Sequence, residues 1–168
     1  MTKDSYSIFQ NRGTLQERNQ KRKKIVAHIL RSEFKKEFKT CRLLLGDQFF
    51  TVDLMSDDDE IAVKIVNPCR ASYKKISSGK FQNILSSIII LKAISSKRKL
   101  LIFTSKKLHE IFYSSISSAS PVFSDAINGI EIAWIPLSDE FDNDEYSEPR
   151  TNFRINEDGF RQTRRNQE

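Results

Sequence analysis

Apolar residues along the chain follow two periods. Ile25, Val26, Ile29, Leu30, Phe34 and Phe38 fall three and four apart, one stripe of a helix, with Lys21, Arg22, Lys23, Lys24, Lys35, Lys36 and Lys39 on its polar faces. Thr14-Leu15-Gln16-Glu17, just after Gly13, is a capping-box sequence, so a helix is expected from there to near Thr40. The period then drops to two. Residues 41–45 (CRLLL) read as a strand, Gly46-Asp47 as a turn, and 48–55 (QFFTVDLM) as a strand sending Phe50, Val52 and Leu54 to one side. Residues 56–59 form a polar turn, and 60–66 (EIAVKIV) the third strand. Asn67-Pro68 ends it. Helical spacing returns over 81–95, where Phe81, Ile84, Leu85, Ile88 and Leu91 share a stripe. A strand over 97–105, a short helix over 106–116 and an alternating strand over 129–135, near a sheet edge, complete the pattern.

The predicted order is α-β-β-β-α-β-α-β, an α/β domain with a mixed sheet flanked by helices. A chain of 168 residues suits one such domain, expected over 12–136, with a flexible stretch over 1–11 and an acidic tail over 137–168. Lys64 stands out, an ammonium among Ile61, Val63, Ile65 and Val66. With a four-residue turn at 56–59, Met55 pairs with Glu60, Asp53 with Ala62 and Thr51 with Lys64. Asp53, Glu60, Ala62 and Lys64 then project from one face, and Val52, Leu54, Ile61 and Val63 from the other.

Charge is segregated along the chain. Residues 12–42 hold eleven Lys/Arg against three acids and 65–118 ten against one, whereas 43–64 hold six acids and one lysine. Cations that hold phosphates around carboxylates that hold a metal suit an enzyme acting on a polyanion. A solvated basic surface with an acidic turn fits the same distribution. Residues 137–149 carry six acids and no base, a composition that predicts disorder and a strand of charge able to fold over a basic cleft or dock on a partner. Cys41 and Cys69 stand alone, without metal-ligand spacing, and read as reduced, buried small residues. The first ten residues lack a secretory pattern and no apolar run is long enough to span a bilayer, which leads us to expect a cytoplasmic protein without membrane contact.

A leading helix, three strands with Asp53 on the second and Val63-Lys64 on the third, then an amphipathic helix and a strand resemble the PD-(D/E)xK restriction-endonuclease-like superfamily over residues 12–104. Asp53 falls on the motif's first Asp, Ala62 on its (D/E) and Lys64 on its Lys. Glu17 sits where many members carry another acid. The resemblance implies a nuclease fold in which Asp53 and a second carboxylate hold Mg²⁺ while Lys64 positions the attacking water. Ala62 supplies no ligand. Glu60, two residues upstream, is the expected replacement, which makes Asp53 and Glu60 the metal candidates and adds Glu60 and Glu17 to Asp53 and Lys64 as catalytic candidates; Gln82 is a further source. The resemblance therefore implies either a divergent Mg²⁺-dependent endonuclease or a degenerate, non-cleaving member, and Ala62 favours the second.

Lys21, Arg22, Lys23, Lys24, Arg70, Tyr73, Lys74, Lys75, Lys80, Lys97, Arg98 and Lys99 come from segments that would line one cleft and form the expected nucleic-acid surface, for DNA before RNA. Several residues also have a plain structural role: Glu17 closes the capping box, Asp57, Asp58 and Asp59 are turn residues, His28 and His109 read as structural and not catalytic, and Trp134 as core or edge packing. No glycine-rich phosphate loop, nucleophile elbow or HExxH motif occurs. A scaffold or protein-interaction subunit, as a homodimer or in a larger assembly, is the alternative to nucleic-acid binding.

Overall fold

The computed structural model describes residues 15–68, 76–118 and 121–137. Gly13 and Thr14 of the capping box, Cys69, Arg70, Tyr73, Lys74, Lys75, the 1–11 stretch and the acidic segment from residue 138 on lie outside these described residues.

Five strands form one mixed sheet in the spatial order β1-β2-β3-β4-β5: β1 (Phe38–Leu45), β2 (Gln48–Ser56), β3 (Ile61–Val66), β4 (Arg98–Phe103) and β5 (Glu131–Trp134). The first three pair antiparallel, and β3, β4 and β5 run parallel. Helix α1 (Leu15–Phe34) leads into the sheet, α2 (Ser78–Ala93) connects β3 to β4, and α3 (Lys106–Ser117) with α4 (Pro121–Ile127) connects β4 to β5. The expected order thus holds through α3, and the short α4 is an addition. Strand β5 lies at the sheet edge, as its alternation implied.

Each face of the sheet has its own core. On one face Val26, Ile29 and Leu30 of α1 bury against Leu54, Ile61, Val63, Leu100, Ile102 and Ala133. On the other, Ile84, Ile88 and Leu91 of α2 and Leu108 and Phe112 of α3 cover Val52, Met55, Ala62, Val66, Leu101 and Phe103. Apart from Lys64 in β3 and Arg98 and Lys99 at the start of β4, the central strands are therefore apolar on both sides, as strands covered by helices on both faces require. Cys41 is half-buried and packs at the margin of the α2 core.

Three local features depart from the sequence pattern. Helix α1 ends at Phe34, not near Thr40, because Lys35 takes a left-handed conformation (φ 55°) while its N–H still bonds Arg31 O at 2.9 Å. Phe38, in phase with the helical stripe, belongs instead to β1, where its ring packs 6.3 Å from Phe34.

The β2–β3 register is displaced by two residues from expectation: Leu54 faces Val63 and Met55 faces Ala62. Side chains build the turn. Ser56 Oγ accepts the Ile61 N–H at 2.9 Å and donates to Asp58 Oδ1 at 2.7 Å, and Asp58 Oδ1 also accepts the Glu60 N–H. Glu60 is thereby held in the turn and out of the ladder. A displacement of an even number of residues leaves every β3 side chain on its expected face.

The third feature is a β-bulge in β2. Lys39 pairs with Met55 but Cys41 with Val52, so Asp53 and Leu54 together oppose Thr40. The extra residue breaks the alternation. Val52, expected on the side of Leu54, turns to the α2 core, while Leu54 stays on the α1 side.

Candidate functional site

Asp53, in the bulge, and Lys64, in the middle of β3, meet on the sheet face that α2 and α3 cover. Lys64 Nζ lies 3.3 Å from Asp53 Oδ2 and donates to the Thr51 carbonyl at 3.0 Å. The same Asp53 oxygen accepts the Ile65 N–H at 2.8 Å. Both side chains are largely withdrawn from water, at 13% exposure for Lys64 and 22% for Asp53. The arrangement follows from the bulge: β2 leaves the regular ladder at Asp53, and the carboxylate takes the amide of Ile65 on the neighbouring strand. Lys64 is employed, in holding a carboxylate and a strand carbonyl together.

Ala62 lies on the same face at 0% exposure, packed into the α2 core. Glu60 does not come to Asp53. It lies four residues before Lys64, just ahead of β3, about 13 Å away at the rise of a strand, and its carboxylate is taken at 2.7 Å by Lys36 and also by Lys97. Lys36 binds Asp58 as well. This surface cluster shifts its members in the direction of charge. Hydrogen bonding to Asp58 first, then to Glu60, raises the Lys36 pKa, while Lys36 and Ser56 hold the Asp58 carboxyl far below the usual range and Lys36 and Lys97 lower that of Glu60. Glu17 is exposed on α1, the helix of the opposite sheet face. Gln82 is exposed on α2, on the face of Asp53.

These residues do not fit the two-carboxylate Mg²⁺ site that the sequence suggested. Asp53 is a single carboxylate with one oxygen spent on a backbone amide and an ammonium, Ala62 is buried without a donor atom, and Glu60 serves two lysines at the other end of the strand. Among the described residues no group of three His, Cys, Asp or Glu side chains could hold a metal ion.

A comparison with protein-family models, with curated proteins and with solved structures gives no match.

The basic candidates divide between the ends of the sheet. Lys80, in the first turn of α2, donates to Asn67 O at 2.5 Å, beyond the C-terminal end of β3. Lys97, Arg98 and Lys99 open β4, where Arg98 faces Ile61 at the N-terminal end of β3. Five residues of strand, about 17 Å, separate the two sets, and Arg70, Tyr73, Lys74 and Lys75, expected in the same cleft, lie outside the described residues. Arg98 is committed internally: its guanidinium makes two bonds to Glu131, at 2.8 and 2.6 Å, and lies 4.8 Å over the Phe34 ring. Those bonds raise its pKa further. Lys99 Nζ reaches Lys92 O at 3.3 Å. On α1, Lys23 Nζ donates to Thr40 Oγ1 at 2.9 Å, Arg22 to Asn19 Oδ1 at 3.2 Å, and Lys21 and Lys24 are exposed.

The two histidines differ in burial. His28 is exposed on α1, whereas His109 is buried against Phe103, 5.6 Å between centroids, and burial lowers its pKa. Trp134 is half-buried on the edge strand, with Lys106 Nζ 5.7 Å from its ring. Sequence reasoning missed Lys36, whose partners are more than twenty residues away, and the Arg42–Phe49 pair, in which Arg42 lies 5.5 Å over the Phe49 ring. The second was accessible: the tight turn at Gly46-Asp47 sets the β1–β2 register and puts both residues on one face.

Proposed function

We propose that this chain is a nucleic-acid-binding protein on a restriction-endonuclease-like fold whose catalytic centre is degenerate, and that it binds without cleaving. The observation carrying the reading is the meeting of Asp53 and Lys64 on one sheet face, at the motif's first and last positions, with buried Ala62 between them where a second carboxylate would stand. Helix, antiparallel three-strand meander, helix, and a strand parallel to the third support the fold part of the proposal.

In this reading Lys64 is retained for structure. Its ammonium neutralises Asp53, and Asp53 closes the gap where β2 leaves β3. Binding then rests on the outer cations, chiefly the run from Arg18 to Lys24, five Lys/Arg without a carboxylate. DNA is the expected polymer.

The test is a titration of labelled duplex and single-stranded DNA and RNA over a series of salt concentrations, with cleavage followed in Mg²⁺ and in Mn²⁺. The expected result is an affinity that falls linearly in log–log form, by about 0.9 in slope for each phosphate neutralised on duplex DNA, with no strand scission. Cleavage that Asp53→Ala and Lys64→Ala both abolish would overturn the degenerate part. Absence of salt-dependent binding to every polymer would overturn the whole and leave a protein-interaction role.

A further inference from the structure

We propose that the α1-side surface of the β1–β2 hairpin is a stacking platform for an unpaired base of single-stranded nucleic acid, with Phe49 as the platform, Arg42 as the cation over it and Lys23 as a further cation along the same face. The inference rests on the nucleic-acid reading and locates its contact.

The geometry follows from the register. Leu44 faces Phe49 and Arg42 faces Thr51, and residues opposite one another share a face. Thr40, two residues before Arg42, lies on the same face and accepts the bond from Lys23, which ties the basic run of α1 to this surface. The β1–β2 ladder continues to Leu45 and Gln48, past the end of β3, so Phe49 has no third strand beside it. Leu44 is 59% and Phe49 65% exposed, the one cross-strand pair among the large exposed apolar residues of the described chain.

An apolar pair of this size in water, set among cations, matches a ligand that is flat and apolar in one part and anionic in another. A base and its phosphate have those properties. Arg42 covers one side of the Phe49 ring at 5.5 Å, and a base stacked on the other side would complete a guanidinium–ring–base sandwich. A duplex offers no free base face to such a ring, so the platform distinguishes single strands. A second copy of the chain is the poorer occupant, because it would bring Arg42 and Lys23 against their own equivalents.

The experiment measures binding of fluorescent oligo-dT, oligo-U and a duplex of equal length to the wild-type chain and to Phe49→Ala, Phe49→Trp and Ile89→Ala. Ile89, 67% exposed on α2, controls for the loss of an exposed apolar side chain. Phe49→Ala is expected to weaken at least one single-stranded probe roughly ten-fold or more and to leave the duplex and the Ile89→Ala titrations unchanged. Phe49→Trp is expected to retain affinity and to show fluorescence quenching on binding beyond that of Trp134, the only natural tryptophan. Undiminished single-strand binding by Phe49→Ala, an equal loss for duplex, or no added quenching overturns the platform while the salt-dependent binding of the wild type still stands. Loss in Phe49→Ala of self-association or of binding to anionic vesicles, with oligonucleotide binding intact, assigns the surface to those partners and overturns it equally. Failure of the wild type to bind any nucleic acid removes both proposals.

Discussion

One oxygen of Asp53 meets both the Ile65 amide and the Lys64 ammonium, so the two substitutions that remove the pair are unequal. Asp53→Ala leaves a half-buried backbone donor without an acceptor and an ammonium without its counter-charge, and should cost about 1–3 kcal/mol in urea denaturation. Asp53→Asn keeps an oxygen for the amide and should cost less. His109 gives a second prediction at this scale. Burial against Phe103 lowers its pKa, so in the interval below the ordinary histidine value the unfolded chain binds more protons than the folded one. Its contribution is therefore full above the unfolded pKa and declines as pH falls through it. Thermal unfolding at pH 7 and pH 5 should show a smaller loss on acidification in His109→Gln than in the wild type. The paired carboxylates Asp58 and Glu60, with lowered values, act in a more acid window, present above the unfolded carboxylate pKa and lost as pH falls below it.

Element boundaries and faces depended on features of different range, and this decides what was legible in the sequence. The apolar stripes of α1, α2 and β3 were readable because helical and strand periods are set by neighbours in the chain. The end of α1 was not, since Phe38 continues the helical phase and only the left-handed Lys35 interrupts it. Lys35→Gly, which relieves a side chain at positive φ, should raise stability by about 0.5–1 kcal/mol in thermal or urea unfolding. The bulge at Asp53 was also invisible, because no Gly or Pro marks it. Asp53 and Lys64, read onto one face, do meet, because a two-residue change of register preserves faces. Glu60 was misplaced because the turn recruits its backbone N–H to the Asp58 carboxylate, a bond that strand periodicity does not foretell. Arg98 shows the same limit. Its sequence context, Lys97-Arg98-Lys99, reads as a phosphate-binding run, yet its guanidinium joins the start of β4 to Glu131 of β5. Arg98→Ala should lower stability by about 1–2 kcal/mol and leave the salt slope of nucleic-acid binding unchanged, both measurable on one preparation.

For the molecule as a whole, separate cores on the two sheet faces leave the charged residues, the Asp53–Lys64 pair apart, to the rims and the outer helix faces. The basic character seen in the sequence is therefore distributed among surfaces with different fates: Lys36 and Lys97 are occupied by Asp58 and Glu60, Arg98 by Glu131, Lys23 bonds Thr40, and Arg42 borders the exposed Leu44–Phe49 pair. No helix among the described residues is long and apolar enough to cross a membrane.

The departure of β2 from β3 at Asp53 has a mechanical side. Beyond that point the ribbon from Arg42 to Thr51 is a cantilever, two strands wide, and two-stranded ribbons coil more strongly than the sheets they leave. Its root is fastened by a carboxylate and an ammonium where an unbroken ladder would use backbone alone, and Leu43 within it packs on the α2 core, so side chains and not a third strand hold the overhang.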